Sequence, residues 1–325
     1  MGTMDTLFNI LILLGSVGVV WLAADILIDS VGRISRRYCK SGFLTAFFIL
    51  GLLTSISEIS VAVNSVLAGV PGVSVGNLIG ASFVILLFIV PLLAVLGKGI
   101  RFNEAVSQKA LALILAVVAV PVILVSSGDV TYAEGLFAIF ACGAVAYMLY
   151  QKRVEVSSCD PLVEDVHGRA RGMFQDIARV IVAGIAIFMA AHFLVEQAVY
   201  FAEALQVPAS LIGLLVLSLG TNVPEIVVAV RGILRGRGDI ALGDYLGSAV
   251  MNTLVFGVLV LFAGPLTVPS SEFGVATVLF IFGVTALWIF ARSKLTLSRS
   301  EGAILLLFYL AFLVIQVGNI FHLGG

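Results

Sequence analysis

Two stretches decide the fold of this chain: LGLLTSISEISVAVNSVLAGVPGVSVGNLIGAS at residues 50–82 and LSLGTNVPEIVVAVRGILRGRGDIALGDYLGSA at residues 217–249. Shifting the first by 167 positions aligns it with the second without a gap, and 12 of 33 positions are identical. The identities include an acid, Glu58 with Glu225, and three glycines. Unrelated apolar helices share leucine and valine by chance, but an acid and several glycines at one offset indicate an internal duplication.

The composition of the whole chain is that of an integral membrane protein. Of the 325 residues 61% are hydrophobic and only 11% are charged, and the mean hydropathy is +1.17. A soluble domain of this length needs many more polar residues to cover its surface. Apolar runs of about 20 residues, each long enough to cross about 30 Å of hydrocarbon, recur along the chain. Because these runs are continuous and not alternating, they predict helices and exclude the strands of a barrel.

Charged residues, glycines and prolines divide the apolar sequence into ten predicted spans. They cover residues 6–29, 42–67, 73–97, 106–126, 132–150, 175–203, 209–234, 240–263, 273–291 and 301–321. We therefore predict an all-α membrane protein with ten transmembrane helices in two inverted five-helix repeats. Residues 1–150 form the N-terminal repeat, 151–174 a cytoplasmic linker, and 175–325 the C-terminal repeat. The odd number of spans in each half inverts the second half, and transporters of this architecture bind their substrate at the midplane.

The positive charges lie in alternate loops or at the span ends beside them. With ten spans, every one of the 18 Lys and Arg residues falls on the same side of the membrane. The positive-inside rule makes that side cytoplasmic. We therefore expect a multi-pass protein of the plasma or inner membrane, with both termini outside and the central loop in the cytoplasm. The 18 residues are Arg33, Arg36, Arg37, Lys40, Lys98, Arg101, Lys109, Lys152, Arg153, Arg169, Arg171, Arg179, Arg231, Arg235, Arg237, Arg292, Lys294 and Arg299.

Two acidic residues, Glu58 and Glu225, lie deep within predicted spans. A charged side chain at the centre of a spanning helix costs about 2.5–3.5 kcal/mol on insertion scales. No Lys or Arg lies close enough in sequence to pair with either glutamate. A bound cation, a proton or water in a cavity must therefore compensate. A protonated acid bonded to a neighbouring hydroxyl is the alternative, and the presence of one glutamate in each repeat favours cation binding.

Oxygen-bearing side chains precede each glutamate by one helical turn and share its face of the helix. Pro224 lacks an N–H group, so we expect the helix around Thr221 to bend and to free carbonyl oxygens. Calcium takes roughly six to eight oxygen ligands at flexible geometry, which such a set can supply. The residues of this predicted cation site are Glu58, Glu225, Thr54, Ser55, Thr221 and Asn222.

The span that follows each glutamate supplies a second wall for the site. Its first turns carry glycines at i and i+4, which let two helices approach closely. Packing alone also accounts for these glycines, and both interpretations stay open. The wall residues are Gly76, Asn77, Gly80 and Ser82 in the first repeat and Gly243, Asp244, Gly247 and Ser248 in the second.

These motifs resemble the paired alpha repeats of the cation/calcium exchanger superfamily. TSISE (54–58) and TNVPE (221–225) are followed by GNLIGAS (76–82) and GDYLGSAVMN (243–252). The resemblance implies a secondary active antiporter and not an enzyme. Such an antiporter exchanges calcium for sodium or protons while spans one and six move to alternate access. It implies inorganic cations and the lipid bilayer as partners, with no cofactor, nucleic acid or obligate protein subunit. The metal ligands it implies are Glu58, Glu225, Thr54, Ser55, Thr221 and Ser248, to which we add Asn222 and Asn252.

The chain departs from the superfamily pattern at several positions. Ser57 stands where the first proline is expected, and Asn222 stands where the second serine is expected. In the first repeat, Ala81 stands where a hydroxyl is expected and Ile85 where an amide is expected. In the second repeat, Asn252 stands where a carboxylate is frequent. The two-acid core is kept while the ligand set is reduced. We expect sodium to be the counter-ion, with protons as the alternative.

Two other classes of membrane protein use paired intramembrane acids or cation sites. An intramembrane aspartyl hydrolase would need a GxGD signature and a second aspartate, and Gly243-Asp244 lacks both the preceding glycine and the partner. A cation channel is the other rival, but a buried acid in each half of an inverted repeat fits alternating access better than an open pore.

Asp25 and His192 form a further pair of titratable residues at matching repeat positions. They lie in ADILIDS (24–30) and AHFLVEQ (191–197), which the same offset aligns. Such groups can carry protons through a transporter, or they can simply be solvated near the membrane interface. We favour the solvated interpretation.

Overall fold

The computed structural model is almost entirely helical over the residues that it describes. Those residues are 3–36, 47, 51–97, 99–101, 107–152, 166–223, 225–226, 238–268, 270–294 and 296–323. The helices are α1 (Thr3–Arg36), α2 (Gly51–Thr54), α3 (Ile56–Leu67), α4 (Pro71–Phe83), α5 (Val90–Leu96), α6 (Gln108–Ser126), α7 (Tyr132–Lys152), α8 (Val166–Leu205), α9 (Ala209–Ile212), α10 (Ser218–Thr221), α11 (Gly238–Ala263), α12 (Ser270–Lys294) and α13 (Arg299–Leu323). Two π-helical segments, π1 (Val84–Ile89) and π2 (Gly213–Leu217), join α4 to α5 and α9 to α10.

Eight helices in the described part of the chain are long and apolar enough to cross a membrane. Two shorter apolar helices, Ile56–Leu67 and Ala209–Thr221, accompany them. The protein is therefore an integral, multi-pass membrane protein built from helices. The start of the second predicted span, the end of the seventh and most of the predicted linker lie outside the described residues.

Two helices run further than the hydropathy pattern predicts. Helix α1 continues to Arg36, past the predicted end at residue 29, and α8 begins at Val166 instead of residue 175. Hydropathy locates the part of a helix that lies in hydrocarbon, whereas the helix itself continues while its residues favour that conformation. Arginine is a good helix former, which favours continuation of both helices through their basic ends.

Helices α4, α5 and α11 form the centre of the molecule. Most residues of the spans Pro71–Leu96 and Tyr245–Ala263 are buried, whereas few residues of Thr6–Ala23 are buried. The outer helices expose large apolar side chains such as Phe140 and Phe282. A soluble protein would bury such residues, so their exposure is that of a lipid-facing surface.

Several glycines bring helices of the two repeats into backbone contact. A Cβ atom added at Gly76 would lie 2.8 Å from the backbone nitrogen of Leu214, and one added at Gly51 would lie 2.7 Å from the carbonyl carbon of Gly247. Such distances leave no room for a side chain, so the predicted close approach of these helices is confirmed. Four of these glycines, Gly51, Gly76, Gly80 and Gly247, are here called the glycine seam.

The contacts of the glycine seam recur with the two repeats exchanged. An added Cβ at Gly80 would collide with the carbonyl oxygen of Leu214, and one at Gly247 would collide with that of Phe47. Gly247 and Leu214 are the residues 167 positions after Gly80 and Phe47. The offset found in the sequence therefore also relates packing contacts in the structure.

Two short antiparallel strand pairs join loops that are distant in the sequence. Strand β1 (Ile100–Arg101) pairs with β4 (Thr296–Leu297), and Ile100 lies opposite Leu297. Strand β2 (Asp129–Val130) pairs with β3 (Leu266–Thr267), and Asp129 lies opposite Thr267. Each pair takes one strand from each repeat. These eight residues are the strand content of the described part of the chain, a small departure from the all-α prediction.

Candidate cation site

The helix is interrupted one turn before each buried glutamate. Helix α2 ends at Thr54, and Ser55 has φ −75° and ψ 2° before α3 begins. Helix α10 ends at Thr221, and Asn222 has φ −92° and ψ 8°. The two interruptions are again 167 residues apart. An interrupted helix leaves carbonyl oxygens outside the regular ladder, where they can turn toward a ligand.

Side chains next to these interruptions hydrogen-bond nearby backbone carbonyl groups. Ser55 Oγ donates to the carbonyl oxygen of Gly51 at 2.7 Å, and Ser57 Oγ donates to that of Thr54 at 3.1 Å. In the second repeat, Asn222 Nδ2 donates to the carbonyl oxygen of Ser218 at 2.8 Å. Bonds of this kind compete with the helical ladder and bend helices. The irregularity predicted at Thr221 is therefore present, and the first repeat has one without a proline.

Both glutamates are buried, Glu58 at 2% and Glu225 at 1% exposure. Ser57 Oγ lies 2.8 Å from Glu58 Oε2, so its one proton can go to this carboxylate or to the Thr54 carbonyl. The side chain of Thr221 also reaches the Glu58 carboxylate. The backbone carbonyl of Glu225 accepts a hydrogen bond from the Tyr245 hydroxyl at 3.1 Å. The Thr221 contact places a carboxylate of the first repeat beside a hydroxyl of the second.

Hydrogen bonds between hydroxyl groups and amides connect the repeats on either side of the acids. Thr54 Oγ1 and Ser248 Oγ are 2.5 Å apart and share a hydrogen bond. Thr221 Oγ1 donates to Asn77 Oδ1 at 3.3 Å. The oxygens of both helix interruptions therefore face the helix that follows the glutamate of the opposite repeat.

All eight residues predicted as ligands are buried, each at most 3% exposed. Side-chain contacts join Thr54 to Ser248 and Thr221 to Glu58, whereas Ser55 and Asn222 bond their own helices. In the described part of the chain, Asn222 Oδ1 has no hydrogen-bond partner. A buried acceptor without a donor is rare in proteins, and it is the arrangement that a cation ligand requires.

Asn252 lies one turn beyond Ser248 in α11. It is 2% exposed, and its Nδ2 has no hydrogen-bond partner among the described residues. Its helix face is that of Ser248, but the described contacts do not join it to either glutamate. Pro224 and the side chain of Asp244 lie outside the described part of the structure.

Neutral groups with a coordinating oxygen outnumber charged groups around the two glutamates. Among the described residues there is no group of three or more His, Cys, Asp or Glu side chains that could hold a metal ion. The available oxygens belong to two carboxylates, to hydroxyl groups, to side-chain amides and to the backbone at the two helix interruptions. Such a set suits hard cations such as calcium and sodium better than zinc or iron.

Three residues that contribute to this region were not among the predicted ligands. Asn77 bonds Thr221, Ser57 bonds Glu58, and Tyr245 bonds the backbone of Glu225. Asn77 and Ser57 are polar residues inside apolar runs, which is a signal that the sequence carries. Their partners, however, are set by packing and backbone geometry.

His192 and Glu196 lie apart from this cluster. His192 Nε2 is 3.3 Å from Glu196 Oε1, and both side chains are 53% exposed. Both side chains therefore lie on the surface of the protein, outside the predicted cation site.

The chain matches known exchangers along most of its length. Residues 8–151 and 176–318 match the protein-family model for the sodium/calcium exchanger protein. The sodium/calcium exchanger MaX1 of Methanosarcina acetivorans is 37% identical over 145 residues, which is 44% of this chain and 41% of that protein. The chain therefore spans less than half the length of this relative.

Two solved structures share the fold. A structure of the sodium-calcium exchanger NCX_Mj superposes with a TM-score of 0.67 and 19% identity, covering 95% of this chain and 98% of the other. The H+/Ca2+ exchanger CAX superposes with a TM-score of 0.74 and 16% identity, covering 97% of this chain and 84% of the other. The same architecture therefore occurs in exchangers with different counter-ions.

Proposed function

The chain belongs to the sodium/calcium exchanger protein family, and we propose that it is a secondary active antiporter that exchanges calcium for sodium by alternating access. The observation that carries this proposal is the pair of buried glutamates, each one turn beyond a helix interruption and each in its own repeat. MaX1 is named as a sodium/calcium exchanger, which supports the choice of ions. Members of the family are exchangers and not enzymes.

The proposed site uses the same carboxylates for both ions in turn. Glu58 and Glu225 neutralise a calcium ion, and hydroxyl, amide and carbonyl oxygens complete its shell. The same oxygens bind sodium when calcium leaves, so occupancy by one ion excludes the other. Competition at one site produces coupled exchange without any covalent step. The remaining ligands are Thr54, Ser55, Thr221, Asn222, Ser248 and Asn252.

The proposed architecture has ten spans in two inverted five-helix repeats. Support comes from the eight long apolar helices, the two shorter ones and the packing contacts that recur at the 167-residue offset. Further support comes from the strand pairs, in which β1 with β4 joins two loops predicted to be cytoplasmic and β2 with β3 joins two predicted to be outside. We place both termini outside and the linker in the cytoplasm, because all positive charges then face inward.

Exchange of calcium for protons is the second candidate. The observation that favours it is the loss of oxygen donors in the first repeat, where Ala81 and Ile85 are fully buried and contribute none. A smaller set of oxygen ligands suits exchange in which protons replace calcium and neutralise the two carboxylates, because a protonated carboxylate needs no further ligands. The shared fold of NCX_Mj and CAX is compatible with either counter-ion.

Calcium uptake into proteoliposomes separates these possibilities. The purified protein is reconstituted, and radiolabelled calcium uptake is measured under an imposed sodium gradient and, in a separate experiment, under an imposed pH gradient. We expect uptake to follow the sodium gradient, and preloaded unlabelled calcium to accelerate entry of label by counterflow. Uptake driven only by the pH gradient would favour the second candidate. Calcium conduction that ignores both gradients would identify a channel and contradict antiport.

A further inference from the structure

Asn77 occupies a fixed position in the backbone contact between α4 and the segment π2–α10. It lies between two members of the glycine seam, Gly76 and Gly80, and it is fully buried. A Cβ added at Gly213 would lie 3.0 Å from the backbone nitrogen of Asn77. With the two backbones this close, the side chain of Asn77 is held in register with α10.

The hydroxyl of Thr221 has two acceptors within reach and one proton to give. It donates to Asn77 Oδ1 at 3.3 Å, and it also reaches the carboxylate of Glu58. A threonine hydroxyl has a single O–H and two lone pairs. The proton can therefore point at the amide of Asn77 or at the carboxylate of Glu58, but not at both.

A cation at the site makes these two orientations inequivalent. The Thr221 oxygen can bind a cation only through a lone pair, so its proton must point away from the ion. When Glu58 binds the ion, its carboxylate lies on the ion's side of Thr221. Asn77 Oδ1 is the acceptor that remains for the proton in that state.

We infer that Asn77 is a positioning residue that holds the Thr221 proton away from the bound cation and so makes the Thr221 oxygen a ligand. The function of Asn77 lies in its oxygen, since Nδ2 has no hydrogen-bond partner among the described residues. At the equivalent position the second repeat has Asp244, a residue type that also offers an acceptor oxygen. This inference rests on the proposed exchange function and on Thr221 as one of its ligands.

The test compares variants that keep or remove the acceptor oxygen. Asn77→Ala removes the oxygen, and Asn77→Asp keeps it while removing the amide N–H groups. The measured quantity is the Kd for calcium chloride by isothermal titration calorimetry on detergent-purified full-length protein. We expect Asn77→Ala to weaken calcium binding about tenfold, which is about 1.4 kcal/mol, and Asn77→Asp to retain wild-type affinity or better.

Two further variants separate positioning from packing. Ser74→Ala, on the same helix and one turn earlier, removes a buried hydroxyl that has no partner among the described residues, and it should leave the Kd unchanged. In a Thr221→Ala background, Asn77→Ala should have no additional effect, because Asn77 acts through the Thr221 hydroxyl. Asn77→Ser, whose hydroxyl is too short to replace the amide oxygen, serves as the deletion variant if Asn77→Ala is not monodisperse.

The outcomes distinguish this inference from the proposed function. An unchanged Kd in the acceptor-deletion variant would overturn it, as would equal losses in Asn77→Ala and Asn77→Asp, or additive losses in the double variant. Absence of calcium binding and of exchange in the wild-type protein would instead refute the proposed function itself.

Discussion

Adding one methyl group to the glycine seam should destabilise the protein, and Gly247→Ala is the sharpest case. The new Cβ would collide with the carbonyl oxygen of Phe47 and lie 2.9 Å from its Cα atom. Both obstacles are backbone atoms, so no side-chain rotation relieves them, and the helices must separate. Overpacking of this kind costs about 1–3 kcal/mol. Because Gly247 precedes Ser248, separation would also lengthen its 2.5 Å hydrogen bond to Thr54.

Gly184→Ala and Gly143→Ala are the matched controls for this substitution. Both glycines lie in helices, and an added Cβ would meet nothing within 4 Å. Replacing a helical glycine by alanine stabilises a helix by about 0.5–1 kcal/mol when the space is free. The assay is thermal unfolding of purified protein, followed by circular dichroism at about 222 nm, the helical band. We expect an apparent Tm several degrees lower for Gly247→Ala and unchanged or higher for the controls. A Gly247→Ala variant as stable as Gly184→Ala would refute the backbone contact between the repeats.

Two further predictions concern side chains at and away from the site. Thr54→Val and Ser248→Ala each remove the same hydrogen bond, so their effects on the unfolding temperature should be less than additive. The expected coupling free energy is about 0.5–1.5 kcal/mol. Strictly additive effects would contradict the contact between Thr54 and Ser248. His192→Ala should leave the rate and the pH profile of calcium exchange unchanged, because His192 and its partner Glu196 are half-exposed. A shifted pH profile in that variant would instead favour a proton-carrying role for His192.

The sequence predicts the long apolar helices because hydrocarbon imposes a strict length and polarity on each of them. The 167-residue offset goes further, since it also relates contacts such as Gly80 with Leu214 and Gly247 with Phe47. Hydropathy does not predict where a helix ends outside the membrane, and α8 accordingly begins before the predicted span. The two strand pairs were not predicted, because two-residue strands carry no periodic signal and their partners are distant in the chain.

The sequence picks out the polar residues of the candidate site, but it does not predict the contacts between them. Two buried acids and their polar neighbours are visible as exceptions in apolar runs. The interruption at Ser55 is accompanied by hydrogen bonds from hydroxyl groups to backbone carbonyls, and no proline marks it in the sequence. The contact of Thr221 with Asn77 joins residues 144 positions apart, and only packing brings them together.

The most direct test of the cation site is calcium uptake by the glutamine variants of its two acids. Radiolabelled calcium uptake into proteoliposomes under a sodium gradient is compared for wild-type protein, Glu58→Gln, Glu225→Gln and Glu203→Gln. Glu203 is an exposed glutamate near the end of α8 and serves as the matched control. We expect background uptake for Glu58→Gln and Glu225→Gln, with correct reconstitution, and wild-type uptake for Glu203→Gln. Gradient-driven uptake that persists in both Glu58→Gln and Glu225→Gln would contradict it.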